Sequence, residues 1–267
     1  MEKTEVSGKK KGASLEEIID TSPYQEFARE KLGFEFKNIS LLVTALTHRS
    51  YVNEHRVAAV SDNERLEYLG DAVLELVSSD FLYRRYDESE GIMTALRSAL
   101  VRTESISEAG YELGYEPLVR LSKGEKMGSK RAHEVIIADC FEAVIGAIYL
   151  DQGYDTAKDF IAKHILCKID KIIEGGTWRD PKSYVQELSQ KVSGATPTYR
   201  TLREDGPDHD KHFVVGMYID GEMFATGEGH SKQDAQTMAA KQAVKKYRET
   251  LGPEIDQFKK NIEFVEE

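Results

Sequence analysis

The chain has 267 residues, 40% of them hydrophobic, with 36 Lys and Arg against 47 Asp and Glu. That length and composition predict a folded protein with one sizeable core and room for a smaller second domain, and they exclude a disordered or fibrous chain. The net charge of −11 argues against a uniformly basic nucleic-acid binder, so charge has to be read locally.

Residues 1–22 are polar, charged and without periodicity, and they read as a flexible tail. Lys9, Lys10 and Lys11 are followed by no apolar segment of the kind a signal peptide needs. From Pro23 to about Glu174 the patterns predict helices over 23–32, 39–48, 62–86, 91–110, 132–151 and 154–174, and no strand. Asn38 and Asp62 stand where N-caps belong. EGGTWRDP (174–181) breaks the helical pattern and predicts a linker over 175–180. Beyond it come a helix over 181–192, strands over 196–204, 211–220 and 222–229, and a helix over 231–250, with Asp220-Gly221 as a hairpin turn. The fold class expected is thus an all-α domain over 23–174 followed by a small α+β (αβββα) domain over 181–250. An acidic tail covers 251–267. Cys140 and Cys167 form no CxxC pair, which fits a reducing, cytoplasmic setting. The most apolar stretch, 135–150, is short for a membrane span and carries two acids, so no membrane partner is expected.

The chemistry concentrates in two helices. NERLEYLGDAVL (63–74) places Glu64, Glu67 and Asp71 at i, i+3 and i+7, on one helical face, with Glu75 a turn further on. Taken alone, this stripe is satisfied by water on an amphipathic helix. The second helix removes that neutrality. Residues 135–150 are apolar around the whole circumference, yet Asp139 and Glu142 lie among them. Buried carboxylates need partners, and no Lys or Arg stands between Arg131 and Lys158. The partner is either a cation from elsewhere in the fold, a bound proton, or a hard divalent metal ion, for which oxygen-only ligand sets are suited.

The same residues carry a resemblance. NERLEYLGDAVL closely resembles the signature of the ribonuclease III family, departing from it only in Tyr68 for Phe. ALTHRSY (45–51) and ADCFEAVIGAIYLD (138–151) resemble its two other landmarks, and the similarity runs over residues 23–250. The resemblance implies a helical endonuclease domain acting on double-stranded RNA with Mg²⁺, for which Mn²⁺ can substitute. It implies staggered ends carrying 5′-phosphate and 3′-hydroxyl groups, made by a homodimer that processes ribosomal RNA precursors and some messenger and transfer RNA. By position it makes Asp71 and Glu142 catalytic, and Glu67, Asp139 and Glu142 metal ligands. Glu64 becomes a further acid of the motif, and Tyr68 an aromatic contact with the partner subunit.

The C-terminal segment resembles a double-stranded-RNA-binding domain. Ser183, Gln186 and Gln190 take positions of a first minor-groove contact and His209 of a second, while Ser231 and Lys232 open the last helix, where phosphate is attracted. Gln233 and Asp234 depart from the family's more basic pattern, and Asp208 and Asp210 flank His209, so weaker phosphate binding is expected. Lys126, Lys130 and Arg131 in the 123–131 stretch suit either backbone contacts or an ordinary exposed loop. Two other readings are weaker. A binding protein without catalysis would have lost some of the four acids, and a di-iron helical protein would need Glu-x-x-His pairs, which the acidic helices lack.

Overall fold

The computed structural model describes residues 19–55, 61–176, 178–207 and 210–252. Two compact units emerge among them, residues 19–83 with 97–172, and residues 84–96 with 173–252.

The described elements before residue 176 are helical. They are α1 (Ser22–Phe27), continued by a π-helical turn (Ala28–Leu32), then α2 (Ile39–Ala45), α3 (Arg49–His55), α4 (Glu64–Arg85), α5 (Glu90–Leu100) and α6 (Thr103–Leu113). A short α7 (Lys123–Lys126), the long α8 (Lys130–Gln152), α9 (Tyr154–His164), a 3₁₀ turn (Leu166–Lys168) and α10 (Ile169–Gly175) follow. Caps set the starts. The Asn38 side chain accepts the Ser40 N–H at the head of α2, and Ser129 accepts the Ala132 N–H at the head of α8. Asp62 is one residue early for a cap: its carboxylate accepts the Glu64 N–H, but α4 begins at Glu64, so Asn63 holds the capping position.

Two predicted helices are each broken. Residues 91–110 divide at Arg102, which takes an extended backbone. Leu100 and Ile106 are both fully buried; six residues apart, they would face about 120° away from each other on one straight helix, and the break lets both reach the core. Residues 154–174 divide at the 3₁₀ turn, where Ile165, Leu166 and Ile169 are all buried.

Helix α8 is the centre of this unit, packed by α2, α6 and α9. Its Phe141, Val144, Ile145 and Ile148 are fully buried with Leu42, Leu46, Leu74 and Ile161. At its far end Asp151 is buried, and its two carboxylate oxygens accept the backbone N–H groups of Lys37 and Asn38, each at 2.8 Å.

The second unit contains α11 (Pro181–Ser193), β1 (Thr198–Asp205), β2 (His212–Ile219), β3 (Glu222–Gly229) and α12 (Lys232–Leu251). The strands form one antiparallel sheet in the order β1-β2-β3. Asp220 and Gly221 both take positive φ, 50° and 83°, as a tight primed hairpin turn requires. Tyr184, Val185 and Leu188 of α11, Met217 of β2, and Ala239, Ala240, Ala243 and Tyr247 of α12 make the core. Just ahead of α11, Trp178 is buried. The Arg179 guanidinium stacks 4.2 Å from the Trp178 ring and 4.0 Å from that of Tyr184.

Candidate active site

Glu67 and Asp71 come from α4, Asp139 and Glu142 from α8, and two glycines decide how near they stand. A Cβ on Gly70 would lie 1.7 Å from the Glu142 carbonyl oxygen, and one on Gly146 would lie 2.3 Å from that of Leu66. The two backbones therefore touch where the helices cross, a separation that any side chain would forbid. The crossing falls among the acids themselves: Gly70 stands directly before Asp71, and Glu142 is the residue it meets.

Charge is distributed unevenly around this crossing. The outer acids of the α4 stripe are paired, Glu64 with Arg49 at 3.2 Å and Glu75 with Arg97 at 2.8 Å. Among the described residues no such ion pair reaches Glu67, Asp71, Asp139 or Glu142. Burial pushes the Glu142 carboxyl up to about 8, aided by the charges of Asp71, Asp139, Glu67 and Glu75. Burial also raises Glu67, with Asp139, Glu64 and Asp71 adding to it and Arg49 opposing. Asp139 is raised by burial against the pull of His48 and Arg49. The inner four thus crowd together without an ion-pair partner among the described residues, and Glu142 answers the crowding by holding its proton up to about 8.

An open cleft of about 530 Å³ reaches two of them, Glu67 and Asp139, and is lined also by His48, Arg49, Asn63 and Glu125 among others. His48, Arg49 and Glu125 were not singled out as site residues from the sequence; the signal was there for the first two, which stand inside ALTHRSY. His48 is fixed: its Nδ1 accepts the Ser50 N–H at 3.3 Å and lies 2.8 Å from Ser50 Oγ. Burial holds its pKa below the usual imidazole value. Glu125 is set by the α7 turn, in which Ser122 caps the helix and the Glu125 carbonyl accepts from the His133 ring at 2.8 Å. His55 stacks on Tyr51 with ring centroids 3.9 Å apart.

The donor set is all oxygen and suits a hard divalent cation. Among the described residues, no three His, Cys, Asp or Glu side chains are gathered closely enough to enclose one. The glycine crossing fixes the backbones, so side-chain rotation is what would close the set. Tyr68, on the same helix, is 81% exposed.

In the second unit, Ser183, Gln186 and Gln190 are all exposed on one side of α11, while Tyr184, Val185 and Leu188 on its other side are buried. The Ser231 hydroxyl caps α12, accepting the Asp234 N–H at 3.0 Å and donating to the Asp234 carboxylate at 2.6 Å. Lys232 is exposed, its Nζ 3.5 Å from Glu204, which Lys211 also binds at 2.9 Å. His209 lies outside the described residues.

A family model described as ribonuclease-III-like matches residues 38–169, and one described as a double-stranded RNA binding motif matches residues 181–247. Ribonuclease 3 of Bdellovibrio bacteriovorus is 42% identical over 83% of this chain and 95% of its own length. This chain belongs to the ribonuclease III family. Ribonuclease 3 of Bacillus cereus is 43% identical over 84% of this chain and 91% of its own. The solved nuclease domain of ribonuclease III from Campylobacter jejuni is 35% identical, covering 52% of this chain and 96% of that one, with a TM-score of 0.47. The architecture is that of the family: a helical ribonuclease III nuclease region, then a small module of three antiparallel strands flanked by two helices. No helix among the described residues is long and apolar enough to cross a membrane.

Proposed function

We propose that this ribonuclease III family member is an endoribonuclease that hydrolyses double-stranded RNA with Mg²⁺, leaving staggered 5′-phosphate and 3′-hydroxyl ends. The observation that carries the reading is the set of four acids at the glycine crossing that no cation of the described residues pairs, with Glu142 raised to about 8. Glu67, Asp139 and Glu142 would hold Mg²⁺, or Mn²⁺ in its place. When bound, the ion supplies a water of lowered pKa and neutralises charge developing at phosphorus. Asp71 and Glu142 serve as the catalytic pair, orienting the attacking water and holding its proton. Arg49 and Arg97 keep Glu64 and Glu75 occupied at the ends of the stripe, which confines the cation-demanding charge to its middle.

The active species is a homodimer. Tyr68, Ala72 and Leu76 follow at i, i+4 and i+8 on α4 and all are exposed, an apolar row beside the acids that suits a second copy. Ser183, Gln186, Gln190, His209, Ser231 and Lys232 contact the duplex. Ribosomal RNA precursors, with some messenger and transfer RNA, are the substrates, in the cytoplasm, where the unpaired Cys140 and Cys167 are at home.

The test is incubation with long duplex RNA and, separately, single-stranded RNA of equal length, with and without Mg²⁺, beside Glu142→Gln. Duplex-only, Mg²⁺-dependent cutting that the variant lacks is expected. Duplex binding without cutting under either metal would reduce the chain to a binding protein.

A further inference from the structure

His48 lines the active-site cleft beside Glu67 and Asp139 and has been given no task. Its surroundings fix which ring nitrogen carries the proton. The Ser50 backbone N–H donates to His48 Nδ1 at 3.3 Å. A backbone amide nitrogen only donates, so Nδ1 is a bare acceptor. The Ser50 hydroxyl lies 2.8 Å from the same nitrogen. It accepts the Ser122 N–H at 3.1 Å, which leaves its own proton for Nδ1. A proton on Nδ1 would meet both donors, so this setting holds the neutral ring with its proton on Nε2. That Nε2 N–H has no hydrogen-bond partner among the described residues.

Backbone contacts bring the ring to α8. The His48 N–H donates to the Arg120 carbonyl at 3.1 Å, and the Thr47 carbonyl accepts the Asn63 N–H at 3.0 Å. Asn63 is buried, and its side-chain nitrogen lies 3.6 Å from Cys140 Sγ. Residues 47, 63 and 140 thus touch one after another, and their chain neighbours His48 and Asp139 open on one cleft. Asp139 has no hydrogen bond or ion pair among the described residues, and His48 is the first ionisable neighbour acting on it, ahead of Arg49. Three other charged groups act on the ring: Glu125 from α7, Arg49, and Glu64, which Arg49 already pairs. Glu125 stands on a helical turn of four residues, whereas Asp139 is tied to His48 through the Asn63 bridge.

We propose that His48 is a positioning residue of the metal site, its Nε2 N–H donating to the Asp139 carboxylate and aiming it at the cation that Glu67 and Glu142 share. The proposal rests on the metal-dependent reading and adds to it the group that orients one ligand. A neutral donor suits the task. It holds one carboxylate oxygen and leaves the full negative charge to the cation, for which an imidazolium would compete. The acids among the described residues are not gathered closely enough to enclose a cation as they stand. A rigid donor that selects the rotamer of one of them lowers the entropy lost on binding.

The experiment titrates Mn²⁺ alone into the intact metal-free protein and reads free Mn²⁺ by electron paramagnetic resonance, at fixed pH and ionic strength and without RNA. His48→Ala is expected to weaken Mn²⁺ binding by about tenfold or more. His48→Gln carries its amide nitrogen to the place of Nε2 and should recover most of that loss. His48→Asn reaches only as far as Nδ1 and should behave as His48→Ala does. Two double variants identify the partner. Added to Asp139→Asn, His48→Ala should cost nothing further; added to Glu125→Gln, it should cost as much as it does alone. Unchanged Mn²⁺ affinity in His48→Ala, no recovery in His48→Gln, or a loss that vanishes in the Glu125→Gln background overturns the proposal. A parent protein that binds no Mn²⁺ would bring down the metal reading itself and the proposal with it.

Discussion

Glu142 concentrates the electrostatic cost of the acid cluster in one carboxyl group. An unfolded glutamate gives up its proton at about pH 4.3, whereas the folded one retains it up to about 8. Between those values the folded state binds more protons than the unfolded state. The stability tied to this proton is therefore complete below about pH 4.3 and lost as pH rises through 8. In metal-free protein the melting temperature should fall between pH 6 and pH 8.5, and Glu142→Gln should remove much of that slope while lowering duplex cutting by about 10³-fold. A slope unchanged in the variant, followed by scanning calorimetry, would place the charge strain elsewhere. The sequence drew attention to this residue through a helix apolar on all sides, which predicted a buried carboxylate; in the structure Glu142 and Asp139 are only half-buried, and Val135 and Leu150 of the same helix are exposed. His48, Arg49 and Glu125 were not read as members of the site, since they reach the cleft from separate short elements and share no periodic spacing with the acids. Asp151 was quoted within its motif and went unread, because what it binds is backbone over a hundred residues earlier.

The α4–α8 crossing makes a different demand. Gly70→Ala would put a methyl group where the Glu142 carbonyl now stands, and the helices would have to separate. Such overpacking costs roughly 3 kcal/mol or more, to be read from urea unfolding, and cutting should fall further than stability because the acids move apart. The Asp151 clamp is the second hold on α8. Asp151→Ala takes the carboxylate acceptor from the partly buried N–H groups of Lys37 and Asn38 at the head of α2, a loss of about 1–2 kcal/mol. Element types were readable from periodicity, and so was the hairpin turn. The breaks at Arg102 and at the 3₁₀ turn were not, because they answer to where the core lies and not to local propensity.

The whole chain joins a cutting unit to a reading unit, and each can be disabled alone. Tyr68→Asp with Leu76→Asp should leave a folded monomer in sedimentation velocity experiments, with little activity at dilute concentration; an unchanged dimer would remove α4 from the interface. Lys232→Ala should reduce by about one the slope of log affinity against log salt and leave the fold intact. The αβββα order was legible from the change of period after residue 180, and the meaning of Trp178 was not, since nothing local announces what will bury it. That residue bears on how the chain can be cut by an experimenter. With Trp178 buried and Arg179 held between two aromatic rings, and with Asp180 capping α11, the RNA module begins before its first helix. A fragment started at Pro181, where the family motif begins to match, would lose its cap and its stacked guanidinium, whereas one started near Gly175 would keep both.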